Sequence, residues 1–308
     1  MGGVLSGAVR GGGDAVMRRS PAQLWFTRRA RTRFAVLGYH GVSDPVTFAG
    51  HLDRLLAIGR PVSLDDVEEA LAHGRPLPPR AVLLTFDDGE RSLLEHGLPL
   101  LRERGIPAVA YVVTSLIGTD TPFWWHEVER LVAAGAHVPG EPGRTVAQWL
   151  AHLKTVPQAE RLHLMESLRD GRERVGEAQL TPKDLATLEA GGVRVENHSR
   201  THPLLDRCSD ADVRDEIVAG HERLGELTGR VPRSFAYPNG NWDVRAERVL
   251  GELGYRTGFL FDHRLGPGLP DHPLRISRLR VGSHTPPDRF ETILSGLHPA
   301  VHALRGGR

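Results

Sequence analysis

Ala81-Val82-Leu83-Leu84-Thr85-Phe86-Asp87-Asp88-Gly89 is the stretch that decides how the rest of the chain is read. An apolar run stops abruptly at two adjacent carboxylates and a glycine. A short continuous apolar run bounded by turn signals reads as a strand buried on both faces of a parallel sheet. In α/β folds, ligands and catalytic groups gather at the C-terminal ends of such strands. Neighbouring Asp side chains point apart while the chain is extended. Gly89 lets the backbone turn there, so that both can reach one mouth. One carboxylate could then hold a metal ion while the other handles a proton. The same letters also suit an acidic turn in which one Asp caps the next helix.

The flanking sequence decides in favour of a repeating βα pattern. Phe34 to Tyr39 reads as a first buried strand, closed by His40-Gly41. A helix is expected over Phe48 to Ile58, with Phe48, Leu52, Leu55 and Leu56 on one face. Ser63-Leu64-Asp65-Asp66 resembles a capping box and opens a helix through Leu71. After the Asp-Asp strand, a helix near Ser92 to Arg104 is stopped by Gly105, and Ala108 to Val113 is again strand. Strand, helix, strand at this spacing implies parallel βαβ units.

Residues 119–180 break the rhythm and hold Trp124, Trp125 and Trp149. Three helical segments, near Glu127–Ala134, Thr145–Leu153 and Gln158–Asp170, read as an insertion over the sheet, with Trp125 expected to border a substrate. The alternation then resumes with a capped helix from Thr181, a strand Val193–Asn197, a long helix from Ser209, and a short strand Ser234–Tyr237. A helix to Gly254, a strand Thr257–Phe261, a last strand Arg275–Val281 and a helix from Thr285 through Leu297 follow. About seven strands, most followed by a helix, point to a closed or nearly closed β/α barrel. Residues 1–32 read as a flexible basic arm, 33–298 as one catalytic domain, and 299–308 as a tail.

Composition narrows the class. The chain has 308 residues, 40% of them hydrophobic and 25% charged, as in a soluble globular protein with a sizeable core. A net charge of +1 gives no overall pull toward nucleic acid. Arg28, Arg29, Arg31 and Arg33 could touch a phosphate-rich surface, but a solvated arm is the simpler expectation. The single Cys208 cannot form an internal disulfide and suits a reducing compartment. No apolar run reaches the length of a membrane span, and the N-terminus lacks the apolar stretch of a secretory signal, so the expected location is cytoplasmic.

His198-Ser199-Arg200-Thr201-His202-Pro203 is the second informative stretch. With 16 histidines in the chain, the His-x-x-x-His spacing alone says little, and His298 and His302 repeat it without a strand leading in. The pair at His198 does end a predicted strand, as Asp87-Asp88 does, and Pro203 disfavours a helical His202. Two imidazoles and one carboxylate make three protein ligands with a place left for water, the pattern of a catalytic metal site. Zinc suits it best, and cobalt, nickel, manganese or iron could also bind. A second carboxylate near the water would serve as general base.

Thr85-Phe86-Asp87-Asp88-Gly89 and His198-Ser199-Arg200-Thr201-His202 resemble the first two motifs of the polysaccharide deacetylase (NodB-homology) family, carbohydrate esterase family 4. The resemblance covers about Phe34 to Leu297. It implies a distorted (β/α)7 barrel and metal-dependent removal of N-acetyl groups from amino sugars. It also implies Asp87 as general base, with Asp88, His198 and His202 as ligands of one divalent ion. Phe235-Ala236-Tyr237-Pro238-Asn239-Gly240 resembles the third motif, which implies an oxyanion contact from the Asn239 backbone N–H and substrate contacts from Tyr237 and Pro238. Ala236 stands where the family has an arginine that orients the catalytic Asp. We expect Arg278, or else Arg280, to replace it. The late Leu-x-His motif is not evident. Val36-Leu37-Gly38-Tyr39-His40 instead resembles the circularly permuted, poly-N-acetylglucosamine deacetylase-like subgroup, in which the early Tyr-His supplies the acid. His284 is the other histidine similarly placed.

The expectation is therefore a metal-dependent N-deacetylase acting on an N-acetylated glycan or amino-sugar conjugate. Three rivals are a hydrolase of a non-sugar amide, a non-haem iron oxygenase using the same ligands, and a glycan-binding protein of this fold without turnover. The oligomeric state is not readable from the sequence.

Overall fold

The computed structural model describes residues 13–305. Strands β1 (Ala35–Tyr39), β3 (Ala81–Phe86), β4 (Ala108–Val112) and β5 (Val193–Asn197) form the middle of one sheet. Around them lie β2 (Arg60–Pro61), β6 (Ser234–Ala236), β7 (Thr257–Phe259) and β8 (Leu279–Arg280). The order is β7-β6-β5-β4-β3-β1-β8, with β2 beside β3, and every pairing is parallel.

The curl nearly closes. Phe259 bridges Ile276, and the Ile276 N–H donates to Gly258 O at 2.7 Å. A few residues later Leu279 and Arg280 pair with Leu37 and Gly38 of β1. The segment 276–280 thus crosses from β7 to β1. This corrects the strand expected over Arg275–Val281: a chain that passes between two neighbours can run beside each only briefly.

Period-two alternation sorts the strands into two cores. On β1 and β3, Leu37, Tyr39, Leu84 and Phe86 face the surrounding helices. Val36, Ala81 and Leu83 face the barrel interior with Tyr111, Phe259 and Ile276. By the same alternation Thr85 and Asp87 lie on the interior side of β3. All six residues of β3 are buried, as the unbroken apolar run requires.

Twelve α-helices are named here: α1 (Pro21–Ala30), α2 (Pro45–Ile58), α3 (Leu64–Ala72), α4 (Leu98–Glu103), α5 (Trp124–Ala133), α6 (Val146–Leu153), α7 (Gln158–Arg169), α8 (Pro182–Ala190), α9 (Asp210–Thr228), α10 (Val244–Glu252), α11 (Pro287–Ser295) and α12 (Leu297–Leu304). Helix starts follow their caps. Ser63 with Asp66, and Thr181 with Asp184, form complete capping boxes.

Several boundaries differ from the sequence expectation. The helix expected at Ser92 opens with a π-helical turn, Leu93–Gly97, before α4. The helix expected to run through Leu297 stops at Gly296 (φ 85°) and restarts as α12, so the tail expected from residue 299 begins inside a helix. The flexible arm is corrected from residue 13 onward; residues 1–12 lie outside the described residues. Helix α1 is capped by Ser20 and packs on α11. Buried Gln23 donates to Glu291 O at 3.4 Å and accepts from Ser295 Oγ at 2.9 Å.

The insertion is a helical lid on a narrow stem. Gly118 N–H donates to Leu180 O at 2.8 Å, and Gln179 N–H donates to Thr119 O at 3.2 Å, so its two ends leave the barrel side by side. Helices α5, α6 and α7 enclose their own apolar cluster around Trp149, Val128, Leu153 and Leu168. Glu127 anchors α5 to the rest by accepting from Arg169 at 2.8 Å and Arg174 at 3.2 Å.

Candidate metal centre and cleft

A cavity of about 880 Å3 opens at the C-terminal ends of the strands, between the barrel and the helical lid. Asp87, Asp88, His198, His202, His40, Asn239 and Trp125 all line it. Each barrel contribution comes from the residues just after a strand: His40 after β1, the aspartates after β3, His198 after β5.

The backbone is bent to achieve this. Asp88 (φ 71°), Ser199 (φ 68°), His202 (φ 58°) and Asn239 (φ 58°) occupy the left-handed region, which is unfavourable for residues with a Cβ. Such conformations cluster where function requires them. The turn after β3 is therefore made by Asp88 as well as Gly89 (φ 82°), and it turns both carboxylates toward the same mouth. Gly240 (φ 79°) closes the turn after β6, and a Cβ there would lie 2.4 Å from Phe261 Cβ and 2.5 Å from its backbone nitrogen. Gly240→Ala is expected to cost about 2 kcal/mol or more in chemical denaturation.

Asp88 Oδ1 lies 3.4 Å from Nε2 of both His198 and His202. One ligand atom from each of these three buried residues falls within 4.8 Å of the others. The donor chemistry fits a divalent cation. His198 Nδ1 sits 2.7 Å from Ala236 O, a contact that requires the proton on Nδ1 and leaves the Nε2 lone pair facing the cluster. Asp88 Oδ1 is buried without a hydrogen-bond partner, which is costly for a carboxylate oxygen unless a cation joins it.

Electrostatics point the same way. Burial alone would raise the Asp88 carboxyl, but the imidazoles beside it, His198 foremost and then His202 and His40, outweigh burial and hold it well below the carboxylate range. Burial also drives His202 down to about 3, so His202 is neutral at neutral pH and cannot supply that positive charge. His198, 3.4 Å from Asp88 Oδ1, is then the effective partner. His198 itself is raised: burial lowers it, but Asp87 and Asp88 together prevail. The pocket favours a positive charge between Asp88 and the imidazoles.

Asp87 is separated from this cluster by its partner. Arg278, fully buried, donates to both Asp87 oxygens at 2.6 and 2.7 Å. The guanidinium is itself held by Thr85 Oγ1 at 3.1 Å and Leu260 O at 2.6 Å. Burial would raise the Asp87 carboxyl, but the Arg278 charge, then His198, overcomes it and keeps it below its ordinary value. Arg280 instead reaches Phe261 O at 2.7 Å and lines the cavity wall.

His40 is half-exposed, with Nε2 4.0 Å from Asp88 Oδ2 and its ring edge-on to Phe261 at 5.2 Å. His284 is exposed and does not line the cavity. Trp125 stands against His202, ring centroids 4.9 Å apart. Tyr237 and Pro238 correct the substrate-contact expectation. Tyr237 is buried beside Phe235, with its hydroxyl donating to Leu274 O at 3.1 Å, and neither residue lines the cavity. Residues 235 and 237 share one face of β6 by alternation, and that face packs on the helices.

The sequence reading missed several cavity residues. Glu90 lines the cavity beside Asp88, its carboxyl raised by burial and by Asp88. Lys154, at the end of α6, crosses from the lid to donate to Asn239 Oδ1 at 3.0 Å. His263 (φ 57°) lines the far wall and lies 3.0 Å from His298. No spacing signal marks Lys154 and His263, because the lid and the loop after β7 reach the mouth only through the tertiary fold.

Residues 74–141 and 159–258 match the family described as polysaccharide deacetylase. That is more than half of the chain, which belongs to this family. Over 63 residues it is 44% identical to the poly-beta-1,6-N-acetyl-D-glucosamine N-deacetylase of Escherichia coli K12. The matched segment is 20% of this chain and spans only 9% of that protein's length. Among solved structures, the Streptococcus pyogenes deacetylase PplD superposes with a TM-score of 0.61 at 17% identity, covering 85% of this chain and 98% of that one. IcaB from Ammonifex degensii gives 0.60 at 20% identity, covering 86% and 97%. At these identities the likeness concerns the fold: a distorted β/α barrel.

Proposed function

We propose that this protein is a metal-dependent hydrolase that removes N-acetyl groups from an amino-sugar glycan or glycoconjugate. The observation that carries the proposal is the adjacency of two differently equipped carboxylates. Asp88 faces two imidazoles, and Asp87 is clamped by a buried guanidinium.

A divalent ion, zinc in the first instance, held by Asp88, His198 and His202 would supply a Lewis acid and lower the pKa of a water to roughly 7. Asp87, kept ionised by Arg278, would take the proton from the attacking water. The Asn239 backbone N–H would donate to the acetamide oxygen as it gains negative charge. His40, which lines the cavity 4.0 Å from Asp88, would give a proton to the nitrogen of the departing amine, which leaves poorly without one. Trp125, on the lid, would cover one face of the sugar. The relative from Escherichia coli suggests β-1,6-linked N-acetylglucosamine oligomers as the first substrates to try. Cytoplasmic residence is part of this proposal and rests on the single free thiol of Cys208; cell fractionation tests it.

His40 is the element with the sharpest competitor. His40→Ala should keep its metal and its fold yet lose roughly a hundredfold or more in turnover, the usual worth of a positioned acid. His284→Ala should turn over like the wild type. The reverse pattern would move the acid to the C-terminal part of the chain.

A further inference from the structure

The end of the barrel opposite the cavity carries an unusual charge distribution. Between Ala15 and Ser43 there is no Asp or Glu, yet there are six arginines. Arg18 is paired with Asp288 at 3.1 Å and Glu291 at 3.0 Å. Arg19, Arg28, Arg29, Arg31 and Arg33 form no ion pair among the described residues, and all but the partly buried Arg33 are exposed. The backbone gathers more charge to them. Arg80 N–H donates to Arg31 O at 2.9 Å, and Arg60 N–H donates to Arg80 O at 2.8 Å. Arg80 and Arg60 therefore join the same face, at the N-terminal ends of β3 and β2.

This face is also apolar in one place. Helix α1 turns Gln23 inward and leaves Leu24 67% and Trp25 54% exposed. Arg28 and Arg29 follow one turn later, with the Arg29 guanidinium 5.2 Å over the Trp25 ring. A tryptophan and a leucine flanked by unpaired arginines, on a helix fixed to a rigid body, match the headgroup region of a bilayer. The apolar side chains enter the acyl boundary while the guanidinium groups stay with phosphates. Nucleic acid would use the same charges but gives Leu24 nothing to bury.

We infer that this face docks the protein on an anionic phospholipid surface. The cavity, at the other end of the strands, then faces away from the lipid. Attraction should come chiefly from Arg28, Arg29 and Arg31, with Leu24 and Trp25 adding apolar burial.

Sedimentation of the full chain with phosphatidylglycerol/phosphatidylcholine vesicles tests this, with pure phosphatidylcholine vesicles as the comparison. Binding is expected to the anionic vesicles and to weaken as salt is raised. The triple change Arg28→Glu, Arg29→Glu, Arg31→Glu should lower partitioning by roughly a hundredfold. Leu24→Ser with Trp25→Ser should lower it several-fold. Unchanged thermal melting of both variants excludes misfolding as the cause. No binding to anionic vesicles, or equal binding to pure phosphatidylcholine, would overturn the inference. So would a Leu24/Trp25 variant that binds like the wild type while polyphosphate displaces both, because that pattern describes a polyanion site without a bilayer.

Discussion

Asp88→Ala and His198→Ala are each expected to abolish bound metal and to lower turnover by on the order of a thousandfold or more. The protein purified with zinc should carry about one ion per chain, and elemental analysis of the two variants should show close to none. Neither change leaves a complete set: Asp88 Oδ1 is equidistant, at 3.4 Å, from both imidazole nitrogens. Losing the ion removes several kcal/mol of charge stabilisation from the reaction, which sets the size of the effect. The pH dependence of metal content follows from His198. Burial lowers its affinity for protons, but Asp87 and Asp88 together outweigh burial and raise it, and a protonated imidazole cannot ligate. Metal should be released as pH falls through that raised value, while His202, down at about 3, imposes no limit above it. Full metal occupancy in either variant would remove that residue from the site.

The second large effect is expected at Arg278. Arg278→Met leaves Asp87 buried without the guanidinium that binds both its oxygens, a change that costs about 3–5 kcal/mol. Turnover should fall strongly because Asp87 loses both its orientation and its charge. Metal content should stay near one per chain, since none of the three ligands touches Arg278. Stability against pH separates this from ordinary damage. In the wild type the Asp87 carboxyl is held below its ordinary value. Its contribution is therefore present above the unfolded value, roughly 4, and lost as pH falls through the lower folded one. In Arg278→Met the largest force opposing burial is gone and only the smaller pull of His198 and His40 remains, so the carboxyl rises and the variant should lose stability as pH climbs from about 4 toward the raised value. Adding Asp87→Asn removes the buried charge and should restore part of the stability but none of the turnover. Urea denaturation at pH 5 and pH 8 reads the sign. A parallel stability–pH curve in wild type and Arg278→Met would mean that the pair does not set the state of Asp87.

The parts of this account that were legible in the sequence share one property: the signal is local. The apolar run 81–86 can be buried on both faces only in a parallel sheet, and the polar residues that interrupt such runs mark the mouth. His198 and Asp88 were therefore readable as neighbours in space without any contact information. Arg278 was legible for a related reason. Ala236 leaves Asp87 without the arginine the family pattern supplies, and Arg275, Arg278 and Arg280 stand close together on one late segment, with Arg278 and Arg280 sharing a face.

The misreadings trace to long-range packing. Helix α1 depends on Gln23 meeting Glu291 and Ser295, 268 and 272 residues away, so its arginines read as a loose arm. Tyr237 reads as a cavity residue because it precedes Asn239, yet it shares the face of Phe235 and turns into the helical layer. Lys154 and His263 reach the cavity only because the lid and the loop after β7 fold over it. The five left-handed residues around the mouth, with Asp88 and His202 among them, carry no compositional mark at all; glycine would have announced such a turn, but the chemistry needs the side chains.

The central claim is that Asp87 and the Asp88–His198–His202 cluster together hydrolyse an N-acetyl group. It is tested most directly by measuring acetate released from β-1,6-linked N-acetylglucosamine oligomers by the purified protein, before and after chelation and after zinc is restored. The account predicts acetate and free amine in equal amounts, loss of both on chelation, recovery with zinc, and no recovery in Asp87→Asn, which retains the ion. Acetate release that survives chelation, or that Asp87→Asn supports at the wild-type rate, would contradict it.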